Sequence, residues 1–436
     1  MPLPPSFPCR TGGLCVCIDT EENMIAILWD ASHIWGYLLL HAVRSTGIPF
    51  RVLKGLDIAQ TGLSGKMLMV PGGSARRKAE ALGTAGMEEV RRFVRKGGHY
   101  AGFCGGAGLA LAGSLGLCPW KRDGMTDRLQ HLVSGHFSCS LAEGHPLVPS
   151  DLAGTTALLP VWWPGRFNEP ENADGVEVLA RYRAPGPDLY VADLPYASMP
   201  SDILAEWNAM YGVTLRPSLL DGRPCVVSGD YGKGSWLLSY SHLETPADFP
   251  GSEQAGAWLL HILRSWCDSS LTMTALPALS FDALPVLWED AVLLSAKTTL
   301  QKLIALAGEL GLLFPRNRWL LGWRSGVPGA QFNSLNAALS TTLSLPPDTC
   351  RLHIWKEKRN DFEKAFALFA QGARSWLLAR RLADTLADSA PGMLPRELLV
   401  DQRSALFGSP MFGGGLSEQL LDMLEDLVCS SSCPAA

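Results

Sequence analysis

Nowhere does this 436-residue chain approach about 18 consecutive apolar residues free of charge, so no membrane-spanning helix and no membrane partner are expected. Long basic blocks are missing as well. The 37 lysines and arginines are scattered and the net charge is -5, which leaves no broad electrostatic footprint for nucleic acid. The 11 cysteines are an odd number spread from Cys9 to Cys433, a usage that suits reduced thiols in a cytoplasmic chain better than a disulfide framework. Cys15/Cys17 and Cys429/Cys433 lack the CxxC partner spacing of a zinc site, so neither metal nor cofactor is expected. Residues 1–23 are rich in proline and cysteine, lack the apolar run of a secretion signal, and read as a tail. What is present is an ordinary globular composition, 47% hydrophobic and 18% charged, with enough apolar side chain for a sizeable core. At this length two or three domains are expected, because single cores rarely grow past about 250–300 residues.

The first half alternates short apolar runs with amphipathic segments. Residues 24–29 (MIAILW), 50–53, 66–70 (KMLMV) and 100–103 read as buried strands. Between them, residues 33–45 read as a helix stopped by Gly47-Ile48-Pro49, and residues 84–96 as a helix with Met87, Val90, Phe93 and Val94 inward. An apolar helix is expected over 109–115. This alternation argues for an α/β fold, a flavodoxin-like, mostly parallel sheet with helices on both faces, and places chemistry at the carboxyl ends of strands. From 124 to 226 the texture changes to short strands and Pro/Gly turns, including a strand at 176–182. Residues 225–228 and 235–240 flank Gly229 to Gly234 as a hairpin, and a helix at 253–266 closes this half. The expected division is a tail at 1–23, an α/β domain at 24–268 and a mainly helical domain at 269–436. In the last, helices are expected at 298–312, 361–388 and 417–428, with Phe362, Phe366, Phe369, Ala373, Trp376 and Leu377 on one stripe that reads as core.

Three motifs carry chemistry. Gly102-Phe103-Cys104-Gly105-Gly106 places a cysteine at a strand-to-helix junction, with glycines two before and two after it. A sharp turn there forces the nucleophile into a strained backbone conformation that only residues without a Cβ can crowd against. The start of the following helix then favours a thiolate. Pro71-Gly72-Gly73 ends the preceding strand, where its backbone N–H groups can receive a developing oxyanion. His242-Leu243-Glu244 follows another strand, and extended alternation sets His242 and Glu244 on one side, so that the carboxylate can orient the imidazole. Singly, each has a plain structural alternative: a glycine-rich turn around a buried cysteine, a Pro-Gly turn, a satisfied core histidine. Their coincidence in this order favours the chemical reading.

The order PGG, GxCxG, HxE resembles the class I glutamine amidotransferase-like superfamily. More narrowly, residues 25–266 are similar to the N-terminal domain found in some biotin–protein ligases, including stand-alone bacterial relatives. The resemblance covers somewhat over half the chain. It implies a flavodoxin-like domain with Cys104 as nucleophile, His242 as base, Glu244 as orienter, and Gly72, Gly73 and Gly105 around the oxyanion. Two departures stand beside it. The interval between Cys104 and His242 is longer than in compact glutaminases, so glutamine is not implied as the substrate, and no GRGRxG-like segment for holding a biotin adenylate occurs.

Further candidates surround these motifs. Asp30 and His33 follow the first strand and could line the same edge, although an Asp there is also a common helix cap. Asp30, Trp163 and Arg166 are the expected substrate-binding residues, the last two from an insert, with Trp162, that could wall the thiol or form a satellite core. Arg76, Arg77 and Lys78 read as a solvated helix start, and His131, His136 and His145 show no ligand spacing. Two functions follow: acyl or amide transfer or hydrolysis through a Cys104 thioester on a small-molecule substrate, or a non-catalytic module that binds a small ligand in the same pocket. For the helical region the remaining expectation is a protein partner.

Overall fold

A computed structural model describes residues 24–124, 132–172, 175–213, 217–409 and 413–430; the expected tail at 1–23, with Cys15 and Cys17, lies outside them, as do His131 and Cys433. The chain begins with β1 (Ile25–Leu28), whose four residues are all buried because helices cover both faces of a parallel strand. Helix α1 (His33–Thr46) stops where Gly47 turns left-handed at φ 75°. It leads to β2 (Phe50–Leu53), α2 (Gly55–Thr61) and β3 (Met67–Val70). Helix α3 (Ala75–Arg95) is broken at Gly83 (φ 57°, ψ -172°). The helix expected at 84–96 is its second half; the first half starts at Ser74, whose hydroxyl accepts from the Arg77 N–H. Next come β4 (His99–Phe103) and α4 (Gly105–Ala110). The helix expected at 109–115 is not formed, because the backbone leaves the helical region at Leu111 and Gly113 and Gly116 take positive φ. Leu111, Leu115 and Leu117 are buried all the same, so the apolar spacing there reports a packed loop.

The insert builds the rest of one large sheet. In order it contributes β5 (Lys121–Arg122), β6 (Val133–Leu141), β7 (Thr156–Trp162), β8 (Phe167–Asn168), β9 (Val176–Pro185), β10 (Tyr190–Val191), β11 (Leu194–Pro195) and helix α5 (Ser201–Tyr211). Strands β12 (Pro224–Tyr231) and β13 (Gly234–Ser239) form the expected hairpin around Gly232 (φ 68°), and α6 (Glu253–Trp266) follows. The sheet runs β11-β10-β6-β9-β12-β13-β4-β3-β1-β2, with β7 on β6; β5 and β8 pair separately. Strands β2, β1, β3, β4 and β13 are parallel, and everything beyond β13 is antiparallel. The register sets Ser239 opposite Phe103 and Val70 opposite Gly102, so the ends of β13, β4 and β3 open on one edge.

The last third is mainly helical: α7 (Ala291–Glu309), the hairpin β14 (Leu313–Pro315) and β15 (Leu321–Trp323), α8 (Gly329–Leu343), α9 (Thr349–Ser389), α10 (Arg396–Phe407) and α11 (Gly415–Cys429). Helix α9 takes in the segment expected at 361–388, and its aromatic stripe from Phe362 to Leu377 is buried. These helices do not pack alone. Their core continues into Trp29, Trp35, Tyr37, Leu38 and Leu40, so α1 lies between the sheet and the helical region. Two smaller clusters occupy the sheet faces, one with the inner side of α1 and α6, the other with α2, α3 and α4. Among the described residues no helix is long and apolar enough to cross a membrane.

Candidate functional site

Cys104 sits at the turn from β4 into α4 with φ 48° and ψ -102°, a region that L-residues rarely enter. Its N–H donates to the Ser239 carbonyl at 2.7 Å, which fixes the turn against β13. The glycines around it are sterically required. A Cβ on Gly102 would lie 2.6 Å from the Gly106 backbone, one on Gly106 2.0 Å from the Val70 oxygen, and one on Gly105 2.0 Å from the Gly73 oxygen. The glycine turn after β3 is therefore pressed against the cysteine turn after β4. Gly73 is itself left-handed (φ 102°), and a Cβ there would meet the Ala31 oxygen at 1.9 Å.

His242 arrives from β13 and is fully buried, its N–H bonded to the Pro160 carbonyl at 2.8 Å. Its Nδ1 is 2.7 Å from Glu244 Oε1, and because a carboxylate only accepts, Nδ1 carries the hydrogen. A Cβ on Gly72 would lie 2.6 Å from His242 Cε1, so the glycine turn touches the imidazole as well as the cysteine turn. Burial works against a charged imidazole, but the Glu244 carboxylate and the Cys104 sulfur outweigh it and push the His242 pKa up to about 10. Cys104 and Gly72 thus both adjoin the His242 ring, Glu244 is bonded to it, and Gly105 is packed against Gly73.

The substrate-binding residues expected from the sequence have other partners. Asp30 serves a helix start: its Oδ2 accepts the Gly55 N–H of α2 at 2.6 Å. Arg166 pairs with Asp123 at 2.8 Å and donates to the Leu219 carbonyl at 2.7 Å, so its guanidinium is tied into the insert. Trp163, just past the end of β7 with φ 53°, is exposed and packs against Trp323, with ring centroids 6.0 Å apart, whereas Trp162, the last residue of β7, is buried. The Trp162 carbonyl is 4.0 Å from Cys104 Sγ, and its indole stacks on Trp35 at 5.6 Å. Trp35 in turn lies 4.4 Å from the His242 ring. His33 is held neutral, its pKa lowered to about 4 by burial, Arg77 and Lys78.

Three neighbours were not singled out by sequence. Trp35 sits on α1 with no local signal beyond helical spacing. Trp319, from the loop between β14 and β15, packs on Trp35 and Trp162 at 6.3 and 5.2 Å and donates to Asp248 at 2.9 Å. Arg316, from the same loop, lies 5.1 Å over the Trp162 ring and donates to Ser134 Oγ at 2.7 Å. The helical third of the chain therefore helps roof the site. Lys78, expected at a solvated helix start, is fully buried: Nζ donates to the Asp30 carbonyl at 2.7 Å and to Ser32 Oγ at 2.6 Å. Burial lowers its pKa to about 7, against the opposing pull of Asp30, Glu425 and Cys104. Arg76 pairs with Glu80 at the surface, and Arg77 pairs with Glu418 of α11. Among the described residues, no three His, Cys, Asp or Glu side chains gather to hold a metal ion.

Several known proteins share features with this chain. A structure of PurLQS from Thermotoga maritima aligns at 15% identity over 56% of this chain and 99% of that one, with a TM-score of 0.38. A putative GMP synthase protein from Thermoplasma acidophilum aligns at 11% identity over 57% and 95%, TM-score 0.35. A putative ThuA-like protein from Bacteroides uniformis aligns at 13% identity over 62% and 98%, TM-score 0.36. No curated protein matches the chain. The family model described as biotin-protein ligase, N terminal, matches residues 62–113. The stretch that holds the glycine turn and the cysteine turn is thus where this chain matches the biotin-protein ligase N-terminal family.

Proposed function

We propose that this chain is a cysteine-dependent enzyme that hydrolyses or transfers an acyl or amide group of a small molecule. The carrying observation is a buried imidazole that touches the glycine turn, is bonded to Glu244 at 2.7 Å, and has a proton affinity raised by both Glu244 and Cys104. In this reading the Cys104 proton passes to His242 Nε2, and the sulfur adds to the substrate carbonyl carbon. Nε2 has no hydrogen-bond partner among the described residues apart from the Cys104 sulfur that helps raise its pKa. N–H groups of Gly72, Gly73 and Gly105 receive the oxyanion. The imidazolium, held by Glu244, then gives its proton to the departing amine, leaving a thioester. Water, or an acceptor amine, attacks that thioester with His242 as base and returns the thiol.

Incubating the protein with a panel of primary amides, quenching in acid and weighing the intact chain tests this directly. An acyl mass increment on Cys104, absent in Cys104→Ala, is the expected result. Full exposure of the protein to the panel without adduct or ammonia release rejects it. One observation favours a second reading, a non-catalytic ligand-binding module: His242 and Glu244 are wholly buried, with Trp35 against the imidazole and Trp162 and Trp319 packed on Trp35. A ligand-induced melting shift that persists in Cys104→Ala, with no turnover, supports that reading.

A further inference from the structure

Beside Glu244 and the second half of α1 lies a cavity of about 310 Å³. That volume falls at the small end of the range for small-molecule pockets, about 300–1,000 Å³. Its walls are mostly apolar, from Leu38 and Ala42 of α1 and from Leu276, Leu279 and Leu284 of the segment joining the two halves of the chain. Two charged side chains also line it: Glu244, fully buried, and Arg44, exposed. The lining histidine, His41, adds no charge at neutral pH. It is bonded to Thr341 Oγ1 at 3.0 Å, and burial with Arg44 nearby lowers its pKa to about 4.

Glu244 is the unusual member. Its Oε1 is taken by His242, whereas Oε2 is buried with no hydrogen-bond partner among the described residues. A buried carboxylate oxygen without a donor is unfavourable, and a ligand that brings a donor relieves it. A cavity lined by one buried carboxylate, one guanidinium open to solvent and mostly apolar side chains complements a zwitterion with an apolar body. We propose that this cavity is a binding site for a small apolar α-amino acid, its ammonium on Glu244 Oε2 and its carboxylate on Arg44. The site is separate from the thiol and rests on no chemistry at Cys104, yet it shares a carboxylate with His242. An ammonium placed there weakens the hold of Glu244 on the imidazolium, so the ligand acts as an effector of the His242 side chain.

The test uses the full chain and calorimetric titration with L-leucine, L-methionine and L-phenylalanine, alongside N-acetyl-L-leucine and L-leucinamide, which each keep one of the two charges. Ala278, an exposed residue of the cavity wall, is replaced in Ala278→Trp to fill the space. Saturable binding of at least one amino acid to wild type and to Cys104→Ala is expected. Binding should weaken by at least about tenfold in Ala278→Trp and for both one-charge analogues. No saturable binding of any of the three overturns the proposal, as does undiminished binding to an Ala278→Trp protein whose melting temperature matches wild type. Binding lost in Cys104→Ala also overturns it, because the ligand would then sit at the thiol, a result that leaves the proposed cysteine chemistry standing.

Discussion

At Cys104 the backbone carries a conformation that a side chain normally avoids, and such strain costs on the order of 1–3 kcal/mol. Comparing two variants that lack the thiol isolates it: Cys104→Gly should be more stable than Cys104→Ala by about 1 kcal/mol in urea unfolding, the reverse of the usual glycine penalty. Gly105 shows the opposite constraint. Its Cβ would fall 2.0 Å from a backbone oxygen that cannot swing away, so Gly105→Ala should cost about 3 kcal/mol and shift the urea midpoint accordingly. Titration has a definite sign here too. His33 and His41 have folded pKa values of about 4 against 6.5 unfolded, so they stay neutral where the unfolded chain takes up protons. Their contribution is complete above pH 6.5 and is lost as pH falls towards about 4. His242, raised to about 10, contributes fully below 6.5 and loses that contribution as pH rises through about 10. Urea midpoints measured from pH 4 to 10 should therefore fall on both sides of neutrality, with the acid limb shallower in His41→Gln.

Among elements, the hairpin of β14 and β15 matters most for the site because its loop carries Arg316 and Trp319. It is held by Asn333 of α8, whose Oδ1 accepts from Leu321 N–H at 2.8 Å and whose Nδ2 donates to the Leu321 and Gly329 carbonyls at 3.0 and 2.8 Å. Asn333→Ala should cost about 2 kcal/mol and make Trp319 more accessible to acrylamide quenching. No sequence pattern announces such a link, which joins a buried asparagine to a three-residue strand. The parallel strands were legible because each is a short apolar run closed by glycine or proline. The cysteine turn was legible because its glycines have a local cause; His242 and Glu244, expected to face one way along an extended strand, meet instead across a turn after β13 in which the Thr245 N–H donates to the His242 carbonyl. By contrast, 109–115 is apolar at helical spacing yet forms a packed loop after α4. Lys78 carries a charge that local reading assigns to solvent, whereas the fold gives it the Asp30 carbonyl and Ser32 hydroxyl instead. Trp162 and Trp163 could be told apart only once the end of β7 fell between them, where Trp163 takes a positive φ.

For the whole molecule, the α/β half and the helical region share a core through α1, so the second half supplies packing as well as part of the roof over the site. Cutting the chain after residue 268 would expose the outer face of α1, including Trp35, Leu38 and Leu40, and residues 1–268 alone should aggregate or bind a hydrophobic dye, where the full chain does not. The same architecture keeps four other thiols out of reach. Cys118, Cys139, Cys225 and Cys267 are buried, and burial pushes the Cys118 thiol up to about 11 and the Cys267 thiol up to about 12. The account as a whole depends on the sulfur, the imidazole and the carboxylate working as a unit, and peptide-resolved rates of iodoacetamide labelling at neutral pH measure that most directly. Cys104 should label fastest of all the cysteines in wild type, and its rate should drop at least about tenfold in His242→Ala and by less in Glu244→Gln. A Cys104 rate no higher than that of the half-buried Cys350, and unchanged by removal of His242, would contradict it.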